Sequence, residues 1–199
     1  MKTSELLKIA SNEVGVKESP AGSNNVKYNT WYYGHEVYGS SYPWCAAFVS
    51  WCFRGTKLIK KSASCSDILS WFEKNNQTVK SPRPGDIVFF KYSTNARKTN
   101  HIGIVERVEG NTIYTIEGNT SLQSSDNGGC VMRRKRTSNI VAFARPAYEE
   151  DNNKLVVDIV QEVIDGAWGT GSERKRRLTQ AGYDYRVVQD AVNRRLRGR

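Results

Sequence analysis

The sequence predicts an α+β domain followed by a small all-helical module, and three patterns carry that reading. Apolar residues recur at helical spacing before the Pro82-Arg83-Pro84-Gly85 turn, β-branched runs separated by polar turns follow it, and helical spacing returns beyond the polar stretch 146–154. Helices first and antiparallel strands afterwards is the α+β order. The boundaries expected from this are 1–148 for the larger domain, 149–154 for a linker and 155–199 for the module.

Taken in order, residues 4–14 place Leu6, Leu7, Ala10 and Val14 on one helical face, with Thr3 or Ser4 as cap. Residues 19–25 are turn chemistry, and the aromatics Tyr28, Trp31, Tyr32, Tyr33 and Tyr38 that follow read either as core cover or as the wall of a cleft. Residues 42–53 form a further helix, and 66–72 a short one capped by Ser66. Candidate strands are 86–92, 101–108, 112–117, 130–135 and 140–145. The run Arg133-Arg134-Lys135-Arg136 lies on the fourth of these and reads as a solvated, edge-protecting face rather than a nucleic-acid site.

The chemistry centres on Tyr42-Pro43-Trp44-Cys45-Ala46-Ala47-Phe48-Val49-Ser50-Trp51-Cys52-Phe53. Pro43 suits a first helical turn, because its ring pre-sets φ and it lacks only an N–H that would be unpaired there. Cys45 then falls in that turn, and the spacing of Ala46, Val49 and Phe53 buries one face of the helix behind it. A helix N-terminus favours a thiolate, and its N–H groups suit an oxyanion. Cys45 is therefore the candidate nucleophile.

A nucleophilic cysteine needs a base, and the chain has only His35 and His101. His101 opens the β-branched run His101-Ile102-Gly103-Ile104-Val105, which holds its imidazole at a strand end; His35 sits in an aromatic, Gly-broken loop and is left as a loop histidine. A tight turn at Glu109-Gly110-Asn111 folds the next strand back beside His101 and brings Glu117-Gly118-Asn119 near it. Alternation sets residues 117 and 119 on one face, so Glu117 or Asn119, or both, can accept from the ring. The arrangement is nucleophile, base and orienter.

The set PWCAAFVSWC, PRPGDIVFF, HIGIV and EGNT, in this order, resembles the CHAP domain, the cysteine- and histidine-dependent amidohydrolase/peptidase family of papain-like fold, over roughly residues 4–148. The resemblance implies Cys45 as nucleophile, His101 as base, Glu117 and Asn119 as the orienting pair, and cleavage of an amide bond in bacterial peptidoglycan. Many relatives carry Gln just before the cysteine. Here that position is Trp44, so an oxyanion role for the Gln side chain is absent. Some relatives bind calcium through an Asp-rich loop ahead of the cysteine, but residues 19–42 hold no Asp. No metal and no cofactor is expected.

Composition narrows the partners. The net charge is +10, shared as +6 over residues 1–153 and +4 over 154–199, so no single basic arm marks a nucleic-acid binder; a polyanionic wall fits as well. No run of about 18 apolar residues is present, so no membrane insertion is expected. The start of the chain reads as an amphipathic helix rather than an export signal, which implies synthesis in a host cytoplasm and action at the cell wall. The cysteines at 45, 52, 65 and 130 form no Cys-x-x-Cys pair; Cys52, Cys65 and Cys130 read as small buried hydrophobes.

In the module, Leu155, Val156, Ile159, Val160, Val163 and Ile164 trace a stripe ended by Gly166; Ser172 caps a second helix running to Ala181 with Gly182 after it; Asp184 caps a third with Val188, Ala191, Val192 and Leu196 inward. The run VIDGAWGTGSERKRRLTQAGYDYRVVQDAVN resembles the cell-wall-binding repeat of the Cpl-seven lysozyme type, which implies muropeptide binding by Asp165, Trp168 and Arg174, with Tyr183 beside them. An aromatic ring can stack on a sugar while Arg and Asp bond to carboxylate, amide or hydroxyl groups; equally, Trp168 can fill the small core and Asp165 can pair with Arg174. The chain holds one copy, so useful affinity calls for multivalency through self-association. The leading expectation is an endolysin-like peptidoglycan hydrolase, amidase or endopeptidase; the alternatives are a host autolysin and a wall-binding protein with an inactive hydrolase site.

Overall fold

The computed structural model describes residues 1–95, 98–149, 156–181 and 183–198. The chain divides into two units, Met1–Glu149 and Glu150–Arg199. The first contains helices Thr3–Asn12 (α1), Lys27–Tyr33 (α2), Cys45–Cys52 (α3) and Cys65–Lys74 (α4), followed by strands Thr78–Val79 (β1), Ile87–Phe90 (β2), His101–Glu109 (β3), Thr112–Thr120 (β4), Cys130–Arg136 (β5) and Ile140–Ala144 (β6). The strands form one antiparallel sheet in the order β1-β6-β2-β3-β4-β5. The α+β class expected from the sequence is the one observed.

The sheet is apolar on both faces. On one, Leu6, Phe48, Val49, Ile68 and Phe72 of the helices pack against Phe89, Ile102, Ile104 and Ile116; on the other, Val88, Phe90, Val105 and Ile113 form a second cluster. Removing such a side chain from water contributes ~1.5–3 kcal/mol, so these two layers set the fold. α3 lies directly on β4. A Cβ at Gly118 would stand 2.6 Å from the Cβ of Phe48, so only glycine lets the helix come this close.

Several expected boundaries shift for physical reasons. α1 is preceded by Lys2, whose N–H bonds to Glu5 Oε2 at 3.0 Å, so neither Thr3 nor Ser4 is the cap. Pro43 lies outside α3; Trp44 is the N-cap and Cys45 the first helical residue. α3 is buried almost all round rather than on one face, with only Trp51 partly exposed. Ser64, not Ser66, caps α4 by accepting from the Asp67 N–H. α2 and β1 were not expected; Tyr28 in α2 points into the core with its O–H donated to Glu13.

The second unit holds Val156–Ile164 (α5), Gly171–Gln180 (α6) and Tyr185–Arg197 (α7) around Ile159, Val160, Val163, Leu178, Val188 and Val192. Asp184 caps α7 through the N–H groups of Arg186 and Val187. Thr170 stands at the N-cap of α6, so Ser172 is inside the helix, and Leu196 is 50% exposed rather than inward. The expected linker over 150–154, Leu155, the Val156 side chain and Gly182 lie outside the described residues. Among the described residues no helix is long and apolar enough to cross a membrane.

Candidate active site

Cys45 opens α3 with its thiol at the helix N-terminus, only 3% exposed. Its Sγ lies 3.9 Å from the carbonyl oxygen of Asn100, the residue before His101, so Cys45 stands beside the start of β3. His101 is fully buried, and its ring packs against Phe90 and Tyr92 at centroid distances of 5.8 and 6.0 Å. Nε2 is 2.8 Å from Glu117 Oε2. That bond makes Nε2 a donor to the carboxylate, while Nδ1 is buried and has no hydrogen-bond partner. Cys45 and His101 lie close enough to shift one another's protonation, the thiol downwards and the imidazole upwards.

Glu117 reaches the ring because β3 and β4 pair as a hairpin closed by Gly110-Asn111, with Ile104 opposite Ile116. Its side chain crosses over Gly103, where a Cβ would fall 2.6 Å from Glu117 Cγ. The wholly buried carboxylate is anchored by Arg136, whose Nε donates to Oε1 at 2.9 Å and whose Nη2 donates to Oε2, and by the hydroxyl of Thr115. Arg136 is thus not part of a solvated basic face. It is 7% exposed, lies over Phe90 and Tyr92, and also bonds to Ser125. A buried carboxylate demands a partner cation, and that demand is the signal in the sequence that a neighbouring strand arginine turns inward.

Asn119 does not join the imidazole. Its Oδ1 accepts from the Gly129 N–H at 3.1 Å, its Nδ2 donates to Asn127, and its backbone is left-handed at φ 55°. The register of β4 against β5 shifts between Glu117 and Thr120, which breaks the alternation that would have put residues 117 and 119 on one face. Asn119 therefore shapes the segment from 119 to 129. His35 is exposed. Trp44 is fully buried, stacks on Tyr28 at 5.5 Å, and donates its indole N–H to Glu18 at 3.3 Å, so it offers nothing to an oxyanion.

Cys65 also reaches the site. It is the first residue of α4, as Cys45 is of α3, and the two sulfurs are 3.5 Å apart. Hydrogen bonds hold it there from both sides: Ser50 in α3 bonds the carbonyl of Ser62, and Ser66 bonds the carbonyl of Thr99.

The charges alternate along this line. The hydrogen bond from Cys65 is the main influence pulling the Cys45 thiol down to about 5, against burial and with help from His101. Burial opposes the imidazolium, but the hydrogen bonds and charges of Cys45 and Glu117 outweigh it and push His101 up to about 9. Burial likewise opposes the Glu117 carboxylate, and Arg136 followed by His101 holds it down at about 2. At neutral pH the line reads thiolate, imidazolium, carboxylate, guanidinium. Among the described residues no group of three or more His, Cys, Asp or Glu side chains could hold a metal ion.

In the second unit, Trp168 donates Nε1–H to Glu162 at 3.0 Å and meets Tyr183 edge-on at 5.7 Å. Arg174 donates to the Gly169 carbonyl at 3.0 Å and to Gln189 at 3.1 Å, while the exposed Asp165 accepts from Gln161 at 2.8 Å. Asp165 and Arg174 therefore bond to different partners.

Residues 37–119, within the first unit, match the CHAP domain. Residues 158–196, within the second unit, match the CW_7 repeat. A lysozyme of Streptococcus phage Cp-7 is 48% identical over 44 residues, 22% of this chain and 13% of the lysozyme. Two solved structures are similar: Ly7917 at 17% identity and TM-score 0.47, covering 73% of this chain and 63% of that one, and the wild-type endolysin LysIME-EF1 at 16% and 0.40, covering 75% and 66%. The chain thus spans less than two thirds of the length of each.

Proposed function

We propose that the chain is a peptidoglycan hydrolase in which Cys45 attacks an amide carbonyl of the bacterial cell wall and the CW_7 repeat holds the enzyme on its substrate. The observation that carries this reading is the line Cys45, His101, Glu117 and Arg136 at the start of a buried helix. The thiolate is already formed at neutral pH, so attack needs no prior proton transfer. The tetrahedral oxyanion gathers at the N-terminus of α3, where backbone N–H groups and the helix dipole favour negative charge. His101 carries the proton that the departing amine requires. With that proton gone, neutral His101 draws one from water, whose oxygen attacks the thioester and releases the acid, restoring the thiolate and the imidazolium.

Glu117 is the orienting group in this scheme, and Arg136 keeps it ionised. The bond cut is either the N-acetylmuramoyl-L-alanine amide or a peptide bond of the stem or cross-bridge. Asp165, Trp168, Arg174 and Tyr183 all lie in the second unit and are the residues proposed to hold the muropeptide, with self-association supplying multivalency. The site of action is the bacterial wall. Clearing of a purified wall suspension tests the reading: it is expected to vanish in Cys45→Ala and in His101→Ala, and equal clearing by Cys45→Ala ends it. Mass spectrometry of the digest then shows which new amino termini appear.

A further inference from the structure

We propose that Cys45 and Cys65 form a reversible disulfide site, in which a hydroperoxide oxidises the nucleophile and Cys65 captures it before further oxidation. The geometry is specific. The sulfurs are 3.5 Å apart, each on the first residue of a different helix, so both helix N-termini converge on one point. An S–S bond is about 2.05 Å long, so rotation of the two side chains has only about 1.5 Å to close. The Ser50–Ser62 and Ser66–Thr99 hydrogen bonds fix the start of α4 on either side of Cys65 and hold the pair in register. Cys52 and Cys130 are free thiols with burial raising both, and serve as internal references.

The oxidant has to be small. Cys45 and Cys65 are 3% and 6% exposed, which admits a peroxide far more readily than a bulky disulfide such as oxidised glutathione. The Cys45 thiolate attacks the outer oxygen of the peroxide; the O–O bond breaks, and the leaving oxygen takes a proton to depart as water or an alcohol. Cys45 is then a sulfenic acid, oxidised by two electrons. The Cys65 sulfur attacks it, its own proton and the sulfenic hydroxyl leave together as water, and the disulfide closes. A thiol reductant reverses the change by exchange, returning both sulfurs to thiols. While the bond stands, the nucleophile is unavailable. The last statement rests on the proposed function; the chemistry of the pair does not.

The test treats the full chain with hydrogen peroxide near neutral pH, blocks the remaining thiols by alkylation, and maps the peptides by mass spectrometry alongside wall clearing. Expected is a peptide joining Cys45 to Cys65 with two hydrogens lost, while Cys52 and Cys130 are alkylated. Clearing is expected to fall at least about tenfold and to return to within about twofold of its starting rate after dithiothreitol, as for a reversible disulfide. In Cys65→Ser, Cys45 passes on to sulfinic acid and the reductant restores little. Sulfinic acid on Cys45 of the unaltered chain, or equal recovery in Cys65→Ser, overturns the proposal. If the link forms and reverses in a chain that never clears walls, the disulfide site stands and the hydrolase reading falls.

Discussion

Arg136→Met isolates the contribution of the buried cation. Methionine keeps an apolar stem beside Phe90 and Tyr92 but removes the donors to both oxygens of Glu117. The carboxylate is fully buried and the arginine side chain 8% exposed, so solvent cannot replace what is lost. Removing one partner of such a pair costs ~3–5 kcal/mol. At ~2–4 °C per kcal/mol for a domain of this size, the melting temperature should fall by roughly 6–20 °C. The carboxyl then takes up a proton at a higher pH than about 2, so the acid-side loss of stability and of the anion facing His101 moves up in pH. Thermal melts followed by circular dichroism and a pH profile of the clearing rate read both effects. The double variant Arg136→Met with Glu117→Gln removes both charges, so it should recover stability while the alkaline limit of clearing falls below about 9, because His101 has lost the Glu117 charge. A single variant that melts within ~2 °C of the parent and keeps its pH profile refutes the reasoning.

Wall clearing should follow a bell, rising as Cys45 ionises near pH 5 and falling as His101 loses its proton near pH 9, measured on dilute walls where the free enzyme is reported. Stability follows the same groups. The lowered Glu117 gives a contribution present above the ordinary carboxylate range and lost as pH falls through about 2, and the raised His101 gives one present below the ordinary imidazole range and lost as pH rises through about 9; melting temperatures across pH should decline at both ends. Gly103→Ala drives a methyl to 2.6 Å from Glu117 Cγ, so it should cost ~1–3 kcal/mol by thermal melting and slow clearing by displacing the carboxylate. Trp168→Phe keeps a ring against Tyr183 but loses the bond to Glu162, so stability should drop by only ~1 kcal/mol while capture by purified walls weakens. An unchanged pull-down removes Trp168 from the wall contact.

Cys45 at a helix start, His101 at a strand start and the Gly110-Asn111 hairpin were legible because each is written in local periodicity or turn chemistry. What escaped the sequence depends on breaks in that periodicity. The bulge between Glu117 and Thr120 turns Asn119 away from the face on which simple alternation puts it. The same strand-by-strand reading left Arg136 in solvent, because no local pattern announces that a neighbouring strand carries a buried anion. Cys65 stands 20 residues from Cys45, and its nearness follows from bonds of Ser50 and Ser66 to backbone carbonyls far along the chain. α2 was passed over because its seven residues are dominated by rings and carry no side-chain cap. Ser64 and Ser66 are both good cap residues; only the position of Asp67, whose N–H points to Ser64, separates them.

The burial of α3 on nearly every side constrains how the proposed enzyme can diversify. A helix wrapped in aromatic rings, sheet and serine ties shows solvent only Trp51 on its last turn, so the buried residues 45–50 form a fixed mounting for the sulfur. Variation is left to the segments at its rim, residues 34–43 with the exposed Tyr38 and residues 121–129 with the exposed Leu122. Retargeting the proposed hydrolase to another wall chemistry would begin in those two rims, with the mounting left untouched.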